Sequence, residues 1–120
     1  NNVEIDFIDH INSEGELIEF YDRSNLFISP SLYEGFGMPI IEAISRGCKV
    51  LCTDIEVFRE VGGDSAQYFT PDDPLELFSL ILENLDNKNR NNVSNKFLES
   101  YKWTNISKDL IGFFNKLHTI

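Results

Sequence analysis

Glu34 and Glu42 stand on either side of a glycine turn, Glu34-Gly35-Phe36-Gly37-Met38-Pro39, with seven residues between the two acids. Carboxylates accept hydrogen bonds from vicinal hydroxyls, the groups that sugars and ribose offer. Gly35 and Gly37 permit backbone conformations closed to other residues and let a ligand come close to the main chain. A helix that starts near Met38, with Pro39 in its first turn, turns its unpaired N–H groups toward the same loop. Backbone donors arranged in this way can hold an anion or a sugar hydroxyl. The spacing is not a dinucleotide fingerprint, because Ile40 or Ile41 stands where a third glycine is required.

Each acid alone has a plainer explanation. Glutamate near the start of a helix is favoured by the helix dipole, and Glu34 by itself reads equally well as a solvated loop residue. The setting of Glu42 weighs against the plain reading. Its neighbours Ile40, Ile41, Ala43 and Ile44 are apolar on most sides of the helix, and an ionised carboxylate in such company requires a partner. Two acids around one glycine turn, ahead of an apolar helix, leave both readings standing.

The elements that would position this loop alternate between strand and helix. Val3 to Ile8 alternates apolar and polar residues, as a half-buried strand does. Ser13 with Glu16 forms a capping-box pattern ahead of a helix that includes Leu17, Ile18, Phe20 and Tyr21. Leu26-Phe27-Ile28 and Val50-Leu51-Cys52 are compact runs that suit buried strands. Between them the helix from Pro39 closes at Gly47. Thr53 with Glu56 repeats the capping box, and Gly62-Gly63 ends that helix. Gln67 to Thr70 reads as a short strand, and Asp73-Pro74 opens a helix to about Leu85. Asp86 to Lys96 is a polar connection rich in Asn and Lys. Two more helices are expected, near Val93 to Tyr101 and over 104–118. Strands separated by helices of this length imply βαβ units and a doubly wound α/β fold with a mostly parallel sheet. Ligands of such sheets bind at the carboxyl ends of the strands, which selects the loops after Ile8, Ile28 and Cys52.

The totals narrow the classes. One domain fits in 120 residues, and 42% hydrophobic with 25% charged residues is ordinary globular composition. A net charge of −10, from 20 acidic and 10 basic residues, disfavours nucleic acid and anionic membranes as partners. No apolar run approaches the ~20 residues of a membrane span. Cys48 and Cys52 are expected to be reduced core residues, and His10 and His118 lie too far apart in the chain to complete a metal site with them. The chain starts without methionine and contains only Met38, so it is expected to be part of something longer.

Ser29-Pro30-Ser31, followed by Glu34-Gly35-Phe36-Gly37-Met38-Pro39-Ile40-Ile41-Glu42-Ala43, resembles the signature of the group 1 glycosyltransferases. The likeness runs on through Gly47, the Val50 strand, Thr53-Asp54, Glu60-Val61 and Pro71-Asp72-Asp73-Pro74 to Trp103. It implies the GT-B arrangement of two Rossmann-like domains facing across a cleft. This chain would supply the C-terminal part of the domain that holds a nucleotide-diphosphate sugar, as one partial domain over 1–120. The resemblance gives Glu34 the hydroxyls of the transferred hexose, and a nucleophilic role for that acid is the older alternative to substrate positioning. Amides from Gly35, Phe36, Gly37 and Met38 would reach the sugar and the diphosphate, Glu42 the ribose hydroxyls, and Ile11 the base. It further implies retention of anomeric configuration, front-face attack assisted by the leaving phosphate, and no metal or other cofactor. The acceptor, a glycan or lipid-linked sugar, would be held by the missing N-terminal domain.

Two departures qualify the likeness. Lys49 replaces the family's usual Pro before the Val50 strand, either as a tolerated loop change or as a cation near the diphosphate. The glycine-bearing first strand, with the Arg and Lys that neutralise the diphosphate, would lie upstream of Asn1, so the 120 residues alone are expected to be inactive. A cytoplasmic setting, at most peripheral to the inner membrane face through the missing domain, is expected. The rival readings are a non-catalytic GT-B-like binding or assembly module, a sugar-phosphate synthase or phosphorylase of the same architecture, and a generic Rossmann-like nucleotide binder.

Overall fold

The chain is described here by a computed structural model covering residues 3–87 and 89–118. In order it forms α1 (Glu14–Arg23), β1 (Leu26–Ser29), α2 (Met38–Ser45), β2 (Lys49–Thr53), α3 (Glu56–Gly62), a short 3-10 turn (Gly63–Ser65), β3 (Gln67–Phe69), α4 (Pro74–Asp86), α5 (Asn95–Ser100) and α6 (Trp103–His118). The three strands pair in parallel in the order β1-β2-β3, with Phe27 opposite Val50 and Cys52 opposite Tyr68. Helices flank this sheet, so the class is α/β with the parallel order of a Rossmann-like domain.

Local chemistry explains most of the boundaries. The Ser13 hydroxyl accepts from Glu16 N at 3.1 Å and caps α1, while the Glu16 carboxylate accepts from Asn12 N at 2.9 Å. The Asp73 carboxylate accepts from Leu75 N and Glu76 N at the start of α4, where Pro74 needs no hydrogen-bond partner for its nitrogen. Gly47 closes α2 with φ 78°, a conformation that costs glycine little. The core lies where α2, β2 and α3 meet: Ile40, Ile44, Val50, Leu51 and Phe58 are each no more than 2% exposed. Burying each such side chain contributes about 1.5–3 kcal/mol before chain entropy is subtracted.

Beyond β1, which forms where expected but is only partly covered, with Ile28 36% exposed, two sequence expectations need correction. Val3 to Ile8 forms no strand; these residues are coil, and Phe7 is 91% exposed. Alternation describes which face of a strand would be covered, but a strand also needs a neighbour for its N–H and C=O groups. No described strand pairs with this segment, and Ile8 and Asp6 instead line a cavity of about 550 Å³ beside Glu16, Glu19 and Phe20 of α1. The second correction concerns Thr53, which does not cap α3. The N-cap is Ile55, without a side-chain cap bond. Thr53 ends β2, fully buried, and its hydroxyl donates to Ser29 O at 3.4 Å.

The polar connection after α4 carries much of the wiring at the amino edge of the sheet. The Arg90 guanidinium donates to the carbonyls of Tyr21, Asp22, Ser24 and Arg46 at 2.6–3.2 Å, closing the ends of α1 and α2. Asn91 donates through its side-chain amide to Cys48 O and Ser65 O, and through its backbone to Gly47 O. Lys49 Nζ donates to Asn84 O at 3.1 Å and to Asn87 O, at the C-terminus of α4. Lys49 opens β2, at the edge away from the glycine turn, so the structure does not place it beside a diphosphate bound there. A cation is favoured at a helix C-terminus, where the carbonyls are unpaired and the dipole is negative.

Candidate binding site at the carboxyl edge of the sheet

Parallel register brings Ser29, Thr53 and Phe69 to one edge, and each is followed by a loop. Thr53 Oγ1 to Ser29 O, and Asp54 N to Phe69 O at 2.8 Å, tie the three strand ends together. The loop over 30–37 leaves this edge and delivers the chain to α2.

Gly37 is the hinge of that delivery. It is buried, serves as N-cap of α2 and has φ 84° and ψ 40°, left-handed values that penalise any residue with a Cβ. A Cβ at this position would stand 3.1 Å from Cε1 of Phe58, so the ring of Phe58 forms a floor directly beneath the turn. Gly35 has open space around it and no such close contact.

The turn leaves several donors free. Ile40 N donates to Gly37 O at 3.0 Å, and Pro39 has no N–H. Among the described residues the N–H groups of Gly35, Phe36, Gly37 and Met38 make no hydrogen bond within the protein. Four consecutive amides at the positive end of a helix can receive an anion or several oxygens.

The predicted side chains gather unevenly around these amides. Glu34 is half-buried and folds over the turn, with Cγ 3.9 Å from where a Cβ of Gly37 would be. Phe36 and Met38 are about half exposed, at 50% and 51%. The Phe36 ring stands edge-on to Tyr101, with centroids 6.4 Å apart, which brings the end of α5 against the loop. Glu42 lies one turn into α2, half-buried, and Tyr21 Oη donates to its Oε2 at 2.9 Å. That phenol is the partner demanded by the apolar neighbours of Glu42. Ile11 is half-buried in the coil that leads to Ser13, three residues before Glu14. Glu14, Leu17, Tyr21, Ile41 and Glu42 share a cleft of about 240 Å³ between α1 and α2.

Sequence reasoning missed two features. Tyr21 read as one more apolar position of α1, because its partner lies on another helix. A further cleft of about 390 Å³ opens at the same carboxyl edge, between Pro30, Leu32, Thr53 and Phe69 and the start of α4 at Asp73 and Pro74. The signal for it was the Pro71-Asp72-Asp73-Pro74 segment, which curls over the strand ends with Asp72 at φ 60°.

Titration separates the thiols from this chemistry. Burial pushes the Cys52 thiol up to about 12 and raises Cys48 as well, so both stay protonated and unreactive near neutrality. Among the described residues no cluster of His, Cys, Asp and Glu could hold a metal ion, and no helix is long and apolar enough to cross a membrane.

The chain resembles known proteins over most of its length. The chain is 29% identical over 106 residues to the O-antigen chain mannosyltransferase B of Escherichia coli, covering 85% of the chain and 28% of that protein. To the MMP alpha-(1->4)-mannosyltransferase of Mycolicibacterium hassiacum it is 26% identical over 112 residues, covering 87% of the chain and 27% of the relative. A shorter stretch of 64 residues, 53% of the chain and 18% of the relative, is 42% identical to the O-antigen chain mannosyltransferase RfbU of Salmonella typhimurium. The chain thus spans less than a third of the length of these curated relatives. Residues 1–98, which include the whole of the glycine turn, both glutamates and all three strands, match the family described as glycosyl transferases group 1, and the chain belongs to that family.

Proposed function

We propose that this chain forms the donor-binding part of a retaining, metal-independent hexosyltransferase that uses a nucleotide-diphosphate sugar and a glycan or lipid-linked acceptor. The observation that carries the reading is the pairing of two carboxylates with four free amides at the start of α2. Glu34, folded over the turn, accepts from hydroxyls of the transferred sugar. The amides of Gly35 to Met38 receive oxygens of the sugar and the diphosphate. Glu42 accepts from the ribose hydroxyls, and Ile11 packs against the base. Mannose is the first sugar to test, because the relatives described above are named mannosyltransferases. The acceptor is held by a separate domain across the cleft.

In this reading Glu34 orients the sugar and stabilises charge that develops during transfer, and the leaving diphosphate assists attack from the same face. Its position over the amides, at the sugar's end of the site, favours that role over attack on the anomeric carbon.

The test is calorimetry on the full-length protein with GDP and UDP, and with the corresponding nucleotide sugars. Glu42→Gln should weaken binding of the nucleoside diphosphate by about tenfold or more, the loss of hydrogen bonds to a charged acceptor. Glu34→Gln should leave that affinity nearly unchanged and reduce sugar transfer. Equal loss of nucleoside diphosphate affinity in both variants would overturn the division of roles.

A further inference from the structure

Tyr21 is held both at its backbone carbonyl and at its phenol hydroxyl. Tyr21 is the one buried residue of α1, 7% exposed. Its ring stands edge-on to Phe27 of β1, with centroids 5.8 Å apart and planes at 62°. Its carbonyl accepts from Cys48 Sγ at 2.9 Å and from Arg90 Nη2 at 3.2 Å. The side chain therefore projects from an anchored backbone, past a packed aromatic wall, and ends with its hydroxyl 2.9 Å from Glu42 Oε2.

Glu42 has no comparable anchor of its own. Three rotatable bonds separate its carboxylate from the backbone, and the flanking Ile41, Ala43 and Ile44 are buried hydrocarbon. Among the described residues Tyr21 is the only side chain that bonds to the carboxylate, and Oε1 is left without a protein donor. A carboxylate with one oxygen fixed and the other open is oriented before a ligand arrives, and loses less freedom when it binds.

We propose that Tyr21 is a positioning residue, which holds Glu42 in the conformation that accepts the vicinal hydroxyls of the bound nucleotide. The proposal rests on the reading of Glu42 as the hydroxyl-binding acid. Burial and the neighbouring carboxylate hold the Tyr21 phenol above its ordinary value, so it remains a donor throughout the neutral range.

The experiment uses the full-length protein and three variants, Tyr21→Phe, Glu42→Gln and the double substitution. Phenylalanine keeps the ring against Phe27 and removes only the donor. Binding of GDP and UDP is measured beside their dideoxy counterparts, which lack both ribose hydroxyls, together with KM and kcat for the nucleotide sugar. Tyr21→Phe should weaken nucleoside diphosphate binding three- to tenfold and raise KM by a similar factor, with kcat within twofold. The dideoxy ligands should bind wild type and Tyr21→Phe equally, because the missing bond then has nothing to orient. The double variant should be no worse than Glu42→Gln alone. Equal loss with both kinds of ligand would mark Tyr21 as a general packing residue and overturn the proposal. So would full additivity in the double variant. If Glu42→Gln itself left binding unchanged, the underlying reading would fall first, and the proposal with it.

Discussion

The two edges of the sheet are finished in opposite ways. At the amino edge helices α1, α2 and α4 end; Arg90 and Lys49 take up carbonyls at these ends, and Asn91 those of Gly47 and Cys48 in the turn before β2. At the carboxyl edge α2 begins, and the amides of Gly35 to Met38 are left open. Both follow from one rule: in a parallel βαβ unit all helices run the same way, so negative helix ends collect at one edge and positive ends at the other. The chain supplies cations of its own to the negative edge; at the positive edge its Asp73 caps α4, while the start of α2 is left without a side-chain cap. The amino edge is closed by the chain's own side chains, and the turn before α2 at the carboxyl edge keeps its amides open.

The substitution with the largest expected effect lies where this division is weakest. Gly37 belongs to the glycine turn but rests on the core through Phe58. Gly37→Ala meets both the left-handed backbone and the Phe58 ring, and should cost about 2–4 kcal/mol in urea unfolding. It should also abolish measurable nucleotide binding at concentrations that saturate the wild type. A fully stable Gly37→Ala would show that the turn is not seated on the core as described.

Next in size is Arg90→Ala, at the other edge. It removes charged donors from four carbonyls, but water can reach this exposed site and replace part of the loss. A cost of about 1–3 kcal/mol is expected in the same unfolding measurement. In the folded protein nucleotide affinity should stay within about twofold of wild type. A loss of affinity comparable to that of Glu42→Gln would break the separation between the edges.

The smallest effect is one of pH. A bidentate pair with Arg46, at 2.6 and 2.7 Å, holds Asp22 below its ordinary value of 3.8, and Arg59 does the same for Asp54. A depressed carboxylate binds its proton more readily in the unfolded chain. The contribution is therefore complete above the unfolded value and is lost as pH falls through the lower folded one. Unfolding midpoints of wild type and Asp22→Asn, compared from pH 6 downward, should differ at the upper end and converge in acid. Both pairs are exposed to solvent, so the separation should be slight and should shrink with added salt.

Much of the frame was legible because its signals are local. Asp73 with Pro74, Ser13 with Glu16, and the apolar runs of β1 and β2 each decide their structure within a few residues. The same holds for the turn that carries Glu34 and Gly37. What escaped the sequence depends on distance. Arg90 meets carbonyls from 44 to 69 residues away in the chain, and nothing in an Asn-rich connection distinguishes it from its neighbours. Tyr21 finds Glu42 across 21 positions. Thr53 misled in another way. A hydroxyl three residues before a glutamate fits a helix cap, but it fits a buried strand end equally well, and tertiary contact with Ser29 decided the case. Val3 to Ile8 shows the same limit, since alternation carries no information about a pairing partner.

The Phe58 ring beneath Gly37 has a consequence for how this loop can vary. Its span is pinned at one end by the pairing of Ser29 with Cys52 and at the other by a glycine whose place over that ring leaves little room for a Cβ. Inserting or deleting a residue between the two would carry the start of α2, and Glu42 with it, out of register with the floor. On the proposed reading, a change of sugar preference would then be written in the side chains at positions 34, 36 and 38, within a loop of unchanged length.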